Sequence, residues 1–196
     1  GVLVPALLQA LAFHAPDDSG DRPSALPEAA RDCLAAVCRL VPEEAEDSAV
    51  NLVVSFVAAH LESTEHRLRG AALAAYGAAM DGPRTLLAPI VANSFGALLA
   101  AMDDPTLRRG AAWATGRALE LHPASVPEAC RAALLPVSIA MVRSSEWSAD
   151  FDCVLRGLVA SAAPVSEAQF SALARQLLEA ASQAGASGCG ALLGAL

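Results

Sequence analysis

The chain has 196 residues and a net charge of −8, from 13 arginines against 21 Asp and Glu with no lysine; 55% of it is hydrophobic and 4% aromatic. Ala and Leu supply most of the apolar side chains, and their helix propensity favours an all-α core over sheets. The acid excess and the scatter of the arginines exclude a nucleic-acid backbone as partner and suit basic ones instead, with the adjacent pair Arg108 and Arg109 read as part of a charge layer.

In chain order, the first element is an apolar helix, VLVPALLQAL, which has neither the basic start nor the cleavage site of a signal peptide. HAPDDSGDRPSAL, residues 14–26, follows as an acidic inserted loop too rich in turn formers for a regular helix. From the residues alone it reads equally as a functional loop or a tolerated insertion. Beyond it comes a periodicity: Pro42, Pro83, Pro123 and Pro164 fall 41, 40 and 41 residues apart. Each closes an Ala- and Leu-rich segment, AARDCLAAVCRLVP, RLRGAALAAYGAAMDGP, LRRGAAWATGRALELHP and DFDCVLRGLVASAAP, where proline stops one helix and starts the next. Gly77, Gly116 and Gly157 keep the same period, and Ala72, Ala75, Ala111 and Ala112 supply small surfaces for close helix approach.

A second set of helices is predicted between these segments, at residues 45–61, 85–102, 126–142 and 166–181, with polar turns at 62–65, 103–106 and 144–148 joining the two helices of each pair. In 85–102, Leu86, Ile90, Phe95, Leu98 and Leu99 predict a broad apolar face covered on more than one side. That uncharged run of 18 residues reaches the lower length limit of a membrane span, but Pro89, Asn93, Ser94 and Gly96 interrupt it and no basic cluster flags an inside end. A helical pair of about forty residues is the length class of HEAT and armadillo units. The expected fold is therefore an all-α superhelix of about four hairpins, with repeats at 1–41, 42–82, 83–122, 123–163 and a partial 164–196. The uncapped start at Gly1 and the apolar end GALLGAL suggest an internal piece of a longer solenoid.

No P-loop, nucleophile elbow or glycine-rich dinucleotide turn is present, so the motifs predict no enzyme and no cofactor. Cys33, Cys38, Cys130, Cys153 and Cys189 form no zinc spacing with His14, His60, His66 or His122, and are read as buried free thiols of a soluble intracellular protein. His60 and His66 are read as solvent-side histidines.

Three stretches carry a family resemblance: HRLRGAALAAYGAAMDGP (66–83), LLAPIVANSFGALLAAMDDP (86–105) and AAWATGRALELHP (111–123). They resemble the central HEAT repeats of the importin-beta family, most specifically at Gly77, Gly82, Pro83, Pro89, Asp104, Pro105, Trp113, Gly116, Arg117, Glu120 and Pro123. More weakly, LVPALLQAL and the loop holding Asp17, Asp18 and Asp21 resemble a helix and acidic loop of the same family, extending the likeness over about residues 2–163. Two departures stand out. Val154 replaces a tryptophan of the next inner helix, and the family's Arg-Asp pairs read Arg69-Gly70 and Arg108-Arg109.

The resemblance implies a nuclear transport receptor. The second helix of each pair would line a concave face that holds a basic importin-alpha-type adaptor or cargo, with Trp113, Arg117, Glu120 and Asp81 as site residues. Trp113, Arg117 and Glu120 are three or four residues apart and share one helix face. Taken without the resemblance, Trp113 reads as an ordinary core tryptophan. The resemblance further implies that the acidic loop meets the GTPase Ran, whose GTP form unloads the receptor, that outer grooves bind Phe-Gly nucleoporins, and that the protein works in cytoplasm, nucleus and nuclear pore. A loop with three aspartates and Arg22 would steer partners weakly. The rival reading is a generic HEAT scaffold or regulatory subunit, which needs neither Trp113 nor the acidic loop.

Overall fold

The computed structural model describes residues 2–13, 26–43 and 49–143, together with the isolated helical positions 154, 156, 171, 174, 175 and 179. Among the described residues lie seven continuous α-helices and no strand: α1 (Leu3–Phe13), α2 (Leu26–Arg39), α3 (Ala49–His60), α4 (His66–Ala79), α5 (Arg84–Met102), α6 (Arg108–Leu121) and α7 (Glu128–Arg143). A single 3-10 turn, Pro123–Ser125, precedes α7. The acidic loop was expected to run through Leu26, but α2 begins there, so that residue belongs to the helix; Glu28 in its first turn and Arg39 in its last complement the helix dipole. Residues 14–25, with Asp17, Asp18 and Asp21, lie outside the described residues, as do the predicted turn 144–148 and, apart from the isolated positions, the predicted helix 166–181.

Helices pack in pairs, α1 on α2, α3 on α4 and α5 on α6. The second members stack on one another, α2 on α4 and α4 on α6, while the first members form another layer through α1 with α3 and α5 with α7. α4 sits at the centre, touching α1, α2, α3 and α6. It buries residues 71–73 and 75–80 almost without a break, because Ala and Gly on nearly every side let neighbouring backbones come close. Tyr76 is the one side chain among these buried residues with a polar group, and burial pushes its hydroxyl up to about 12.

α5 departs from the expected two-sided burial. Leu87, Val91, Phe95, Leu98 and Met102 form one buried stripe, Leu86, Ile90 and Leu99 are half-buried flanks, and Pro89, Ala92, Asn93, Gly96 and Ala100 face outward. The outer layer has neighbours on one side only, so the helix needs one apolar face. By length and composition α5 is long and apolar enough to cross a membrane, yet its stripe is packed in the solenoid core. Pro89 does not end it; the helix runs through from Arg84 to Met102, and Ser94 donates to the Ile90 carbonyl at 2.6 Å.

Successive hairpins are tied by hydrogen bonds whose partners are one repeat apart. The Glu43 carboxylate accepts from the backbone of Arg84 at 3.0 Å and from the Thr85 hydroxyl at 3.1 Å, capping α5 directly after Pro83. The Arg84 amide is the main reason that this carboxyl stays below its ordinary range. Asp104 folds the turn after α5 by accepting from the Thr106 amide and hydroxyl at 2.9 and 2.7 Å, and pairs with His66 at 3.2 Å. Arg69 and Arg108 each donate to a carbonyl at the end of the preceding helix, Leu61 at 3.1 Å and Met102 at 2.9 Å. Each thereby closes its own hairpin.

Candidate binding face on the second helices

Four residues predicted as site residues meet along one face of the stacked second helices. Asp81, just past the C-terminus of α4, accepts from Arg117 of α6 at 2.6 Å and from Arg39, the last residue of α2, at 3.3 Å. Arg117 also reaches Glu120, one turn on, at 3.6 Å. Asp81 is only 12% exposed and Arg117 only 22%, so this pair is held away from bulk screening, whereas Arg39 is 68% exposed. The two carboxylates expected to meet an incoming basic side chain are thus both engaged by Arg117. The negative charge of Asp81 is also felt by Cys38, whose thiol is raised to about 11 by burial first and by that charge second.

Trp113 lies one turn before Arg117 on α6 and is half-buried. Its six-membered ring rests against Gly77 of α4, where any Cβ would collide with it, which gives a physical reason for glycine at that position. Over the ring stands the guanidinium of Arg31 from α2, 4.6 Å from the centroid, in cation–π geometry. Arg31 pairs with its neighbour Asp32 at 3.1 Å.

Adjacent packed helices stand roughly 8–10 Å apart, so α2 and α6 are separated by about twice that across α4. Two long side chains nonetheless meet over α4 where it has no side chain, at Gly77, and two arginines meet where it offers a carboxylate, at Asp81. Asp81, just beyond α4, follows Gly77 by four residues, about one helical turn, so both bridges use the same face. Arg31 and Arg39 are contacts of this face that the sequence reasoning missed; their spacing of two helical turns on α2 was the available signal.

At the far end of this face, His122 is buried and its Nε2 lies 3.0 Å from the Met80 carbonyl at the end of α4. A carbonyl only accepts, so Nε2 carries the proton and donates. Burial, more than any neighbouring charge, lowers its basicity. Cys33 corrects the expectation of buried thiols: α2 turns Ala30, Leu34 and Cys38 inward, which leaves Cys33 on the exposed side. Cys130 is half-buried, and Cys153 and Cys189 lie outside the described residues. His66 is exposed as expected, while His60 is half-buried with its ring edge-on to Phe56 at 4.7 Å. Among the described residues no cluster of His, Cys, Asp and Glu could hold a metal.

Paired helices stacked in two layers, with polar ties at one-repeat spacing, define an α-α solenoid of the HEAT kind. No protein-family profile matches the chain. Among solved structures it is similar to importin beta crystallised in an ammonium sulfate condition, with a TM-score of 0.77 and 25% identity over 91% of this chain and 22% of that one. It is also similar to Kap95p in a structure where that protein binds RanGDP, with a TM-score of 0.69 and 20% identity over 91% of this chain and 21% of the other. A third likeness is to Kap95 in complex with Nup1, with a TM-score of 0.69 and 19% identity over 90% and 20% of the two chains. The chain is an importin-beta-like HEAT-repeat segment, and it spans about 22% of the length of importin beta.

Proposed function

We propose that this segment serves, as part of a nuclear transport receptor, to hold a basic adaptor or cargo segment on the face formed by α2, α4 and α6. The observation that carries the reading is the Trp113 ring, half-buried on Gly77 and stacked with a guanidinium, beside the carboxylates of Asp81 and Glu120. An aromatic face next to carboxylates is chemistry that selects Arg and Lys side chains, each worth ~0.5–2 kcal/mol where an aromatic takes part. Importin beta, to which the fold is similar, supports the same direction. Kap95 is seen with Ran and with the nucleoporin Nup1, and we extend both kinds of partner to the receptor containing this segment. Ran-GTP would then unload it, Asp17, Asp18 and Asp21 would contribute weak steering, and the receptor would move between cytoplasm and nucleus through the pore. Nothing in this function needs a cofactor or a catalytic step.

A second reading has one observation in its favour: Asp81, Glu120 and Trp113 are already paired within the chain, as they would be in a purely structural scaffold or regulatory subunit. Calorimetric titration with an arginine-rich peptide at two salt concentrations separates the two. Salt-sensitive binding that disappears in Trp113→Ala supports the transport reading, and absence of binding at low salt leaves the scaffold.

A further inference from the structure

The ring that would receive a basic ligand is not bare. We propose that Arg31 of α2 occupies the Trp113 subsite in cis, as a built-in competitor that an arginine-bearing ligand must displace. This inference rests on the binding reading above and concerns how that site is regulated.

The geometry identifies both the ligand chemistry and the competitor. A guanidinium stands 4.6 Å from the Trp113 ring centroid, so the site demonstrably accepts that group. The group comes from two helices away and passes over α4 where Gly77 leaves room. Its tether is light. The Arg31 side chain is 27% exposed, and its ion pair is with Asp32, which is 70% exposed and adds little to holding it. Arg31 can therefore swing into solvent without leaving a buried charge unpaired. Asp32 would then be free to meet the incoming cation, so exchange replaces one guanidinium by another and keeps the local charge balance.

The neighbouring Arg39 repeats the arrangement with less grip. It reaches Asp81 at 3.3 Å while 68% exposed, whereas Arg117 holds the same carboxylate at 2.6 Å while largely covered. Of the two arginines on Asp81, Arg39 is the one a ligand can replace. Both replaceable cations come from α2 and both fixed anchors from α4 and α6, so α2 acts as an internal pseudo-ligand strip. Displacing it would also loosen the bridges between α2 and α6, which couples occupancy of the face to the local bend of the solenoid.

The test uses the full 196-residue chain carrying Trp147→Phe, so that Trp113 is the single tryptophan, and an acetylated Gly-Arg-Gly-Arg-Gly amide as probe. Affinity is read by calorimetry and Trp113 emission in parallel, with circular dichroism confirming helix content. Arg31→Gln is expected to bind the probe about five-fold tighter than the parent and Arg31→Lys to fall between them, since a lysine stacks less well than a guanidinium. Arg67→Gln, which removes the same charge from an exposed pair with Glu65, is expected to change affinity by less than about two-fold. Adding Trp113→Phe to Arg31→Gln should cancel most of the gain. If the parent binds and Arg31→Gln binds equally or more weakly, the competitor is overturned while the binding face stands. An equal gain in Arg67→Gln also overturns it, because net charge then explains the effect. If neither parent nor Arg31→Gln binds, both the competitor and the binding reading fall.

Discussion

α4 and α5 are adjacent in sequence and equally helical, yet they bury themselves in opposite ways. α4 hides residues 71–73 and 75–80 on nearly every side and does so with Ala, Gly, Leu, Tyr and Met; α5 hides Leu87, Val91, Phe95, Leu98 and Met102 along one stripe and leaves small or weakly polar residues outside. The difference follows from position. α4 is flanked by its own partner α3, by the second helices α2 and α6 on either side and by α1 of the preceding hairpin, so its side chains must be small enough for four neighbours. A first helix has open solvent on its back and needs large apolar residues only every third or fourth place. The candidate face divides along the same line: its bridges all land on α2, on α6 and on α4 or the turn directly after it.

The largest expected effect tests the stripe of α5. Phe95→Ala removes a side chain with no exposure and should cost about 3–5 kcal/mol in urea denaturation. Asn93→Ala, two residues away on the outer side, should stay within ~0.5 kcal/mol. Similar losses at both positions would mean that α5 is covered on both sides after all.

One substitution with opposite signs on the two helices sharpens the comparison further. Gly77→Ala puts a Cβ into the Trp113 ring and should destabilise by about 1–3 kcal/mol while shifting Trp113 emission. Gly96→Ala meets nothing within 4 Å on an exposed helical face and should stabilise by about 0.5–1 kcal/mol, because glycine loses more backbone freedom on folding. A stabilising Gly77→Ala with unchanged emission would show that the ring does not rest on that glycine.

The ion pairs divide in the same way. Asp81→Asn leaves the largely covered Arg117 without its closest carboxylate and should cost about 1–3 kcal/mol. The exposed Asp32→Asn should cost no more than ~0.5 kcal/mol, with a stronger salt dependence relative to its size. Equal effects at the two sites, measured in the same buffer, would remove the distinction between a fixed anchor and a light tether on which exchange at Arg31 depends.

Much of this architecture was legible before any coordinates. Pro42, Pro83 and Pro123 marked joints between described helices, the Ala-rich runs before them marked α2, α4 and α6, and the turns at 62–65 and 103–106 fell between observed helices. Trp113, Arg117, Glu120 and Asp81 were grouped through a family resemblance and through helical spacing. What could not be read were contacts between elements a repeat or more apart. Glu43 capping α5, His122 reaching Met80 and Arg31 crossing to Trp113 join residues 41–82 positions distant by docking geometry, which no local pattern encodes. α5 was misread for a related reason: its apolar content is high all round, and only the solenoid's layering decides which residues are covered. The exposure of Cys33 is a smaller case, because a cysteine among Ala and Leu reads as buried until the inward phase of α2 is known.

The smallest predicted effect is a pH dependence carried by His122, at the joint between α4 and α6. In the unfolded chain its imidazole takes up a proton near the ordinary value of 6.5; in the folded chain burial, joined by the nearby charge of Arg84, keeps it neutral to lower pH, against the opposing pull of the Met80 carbonyl and Glu43. Between those two values the unfolded state binds more protons than the folded state, so stability rises with pH there. The contribution is therefore complete above about 6.5 and is lost as pH falls toward the folded value, with no further loss from this group below it. The carboxylates of Glu43 and Asp104, held below their ordinary values of 4.5 and 3.8, add their own losses only in more acid solution, so the two windows separate. Urea midpoints at pH 7.5, 6.5 and 5.5 should decline for the parent chain and decline less for His122→Asn, whose midpoint is lower throughout because the bond to Met80 is weakened. An unchanged slope in His122→Asn would assign the acid sensitivity to other groups and leave the α4–α6 joint without a titrating tie, in contrast to the start of α5, where the capping carboxylate of Glu43 is itself exposed and titrates only in acid.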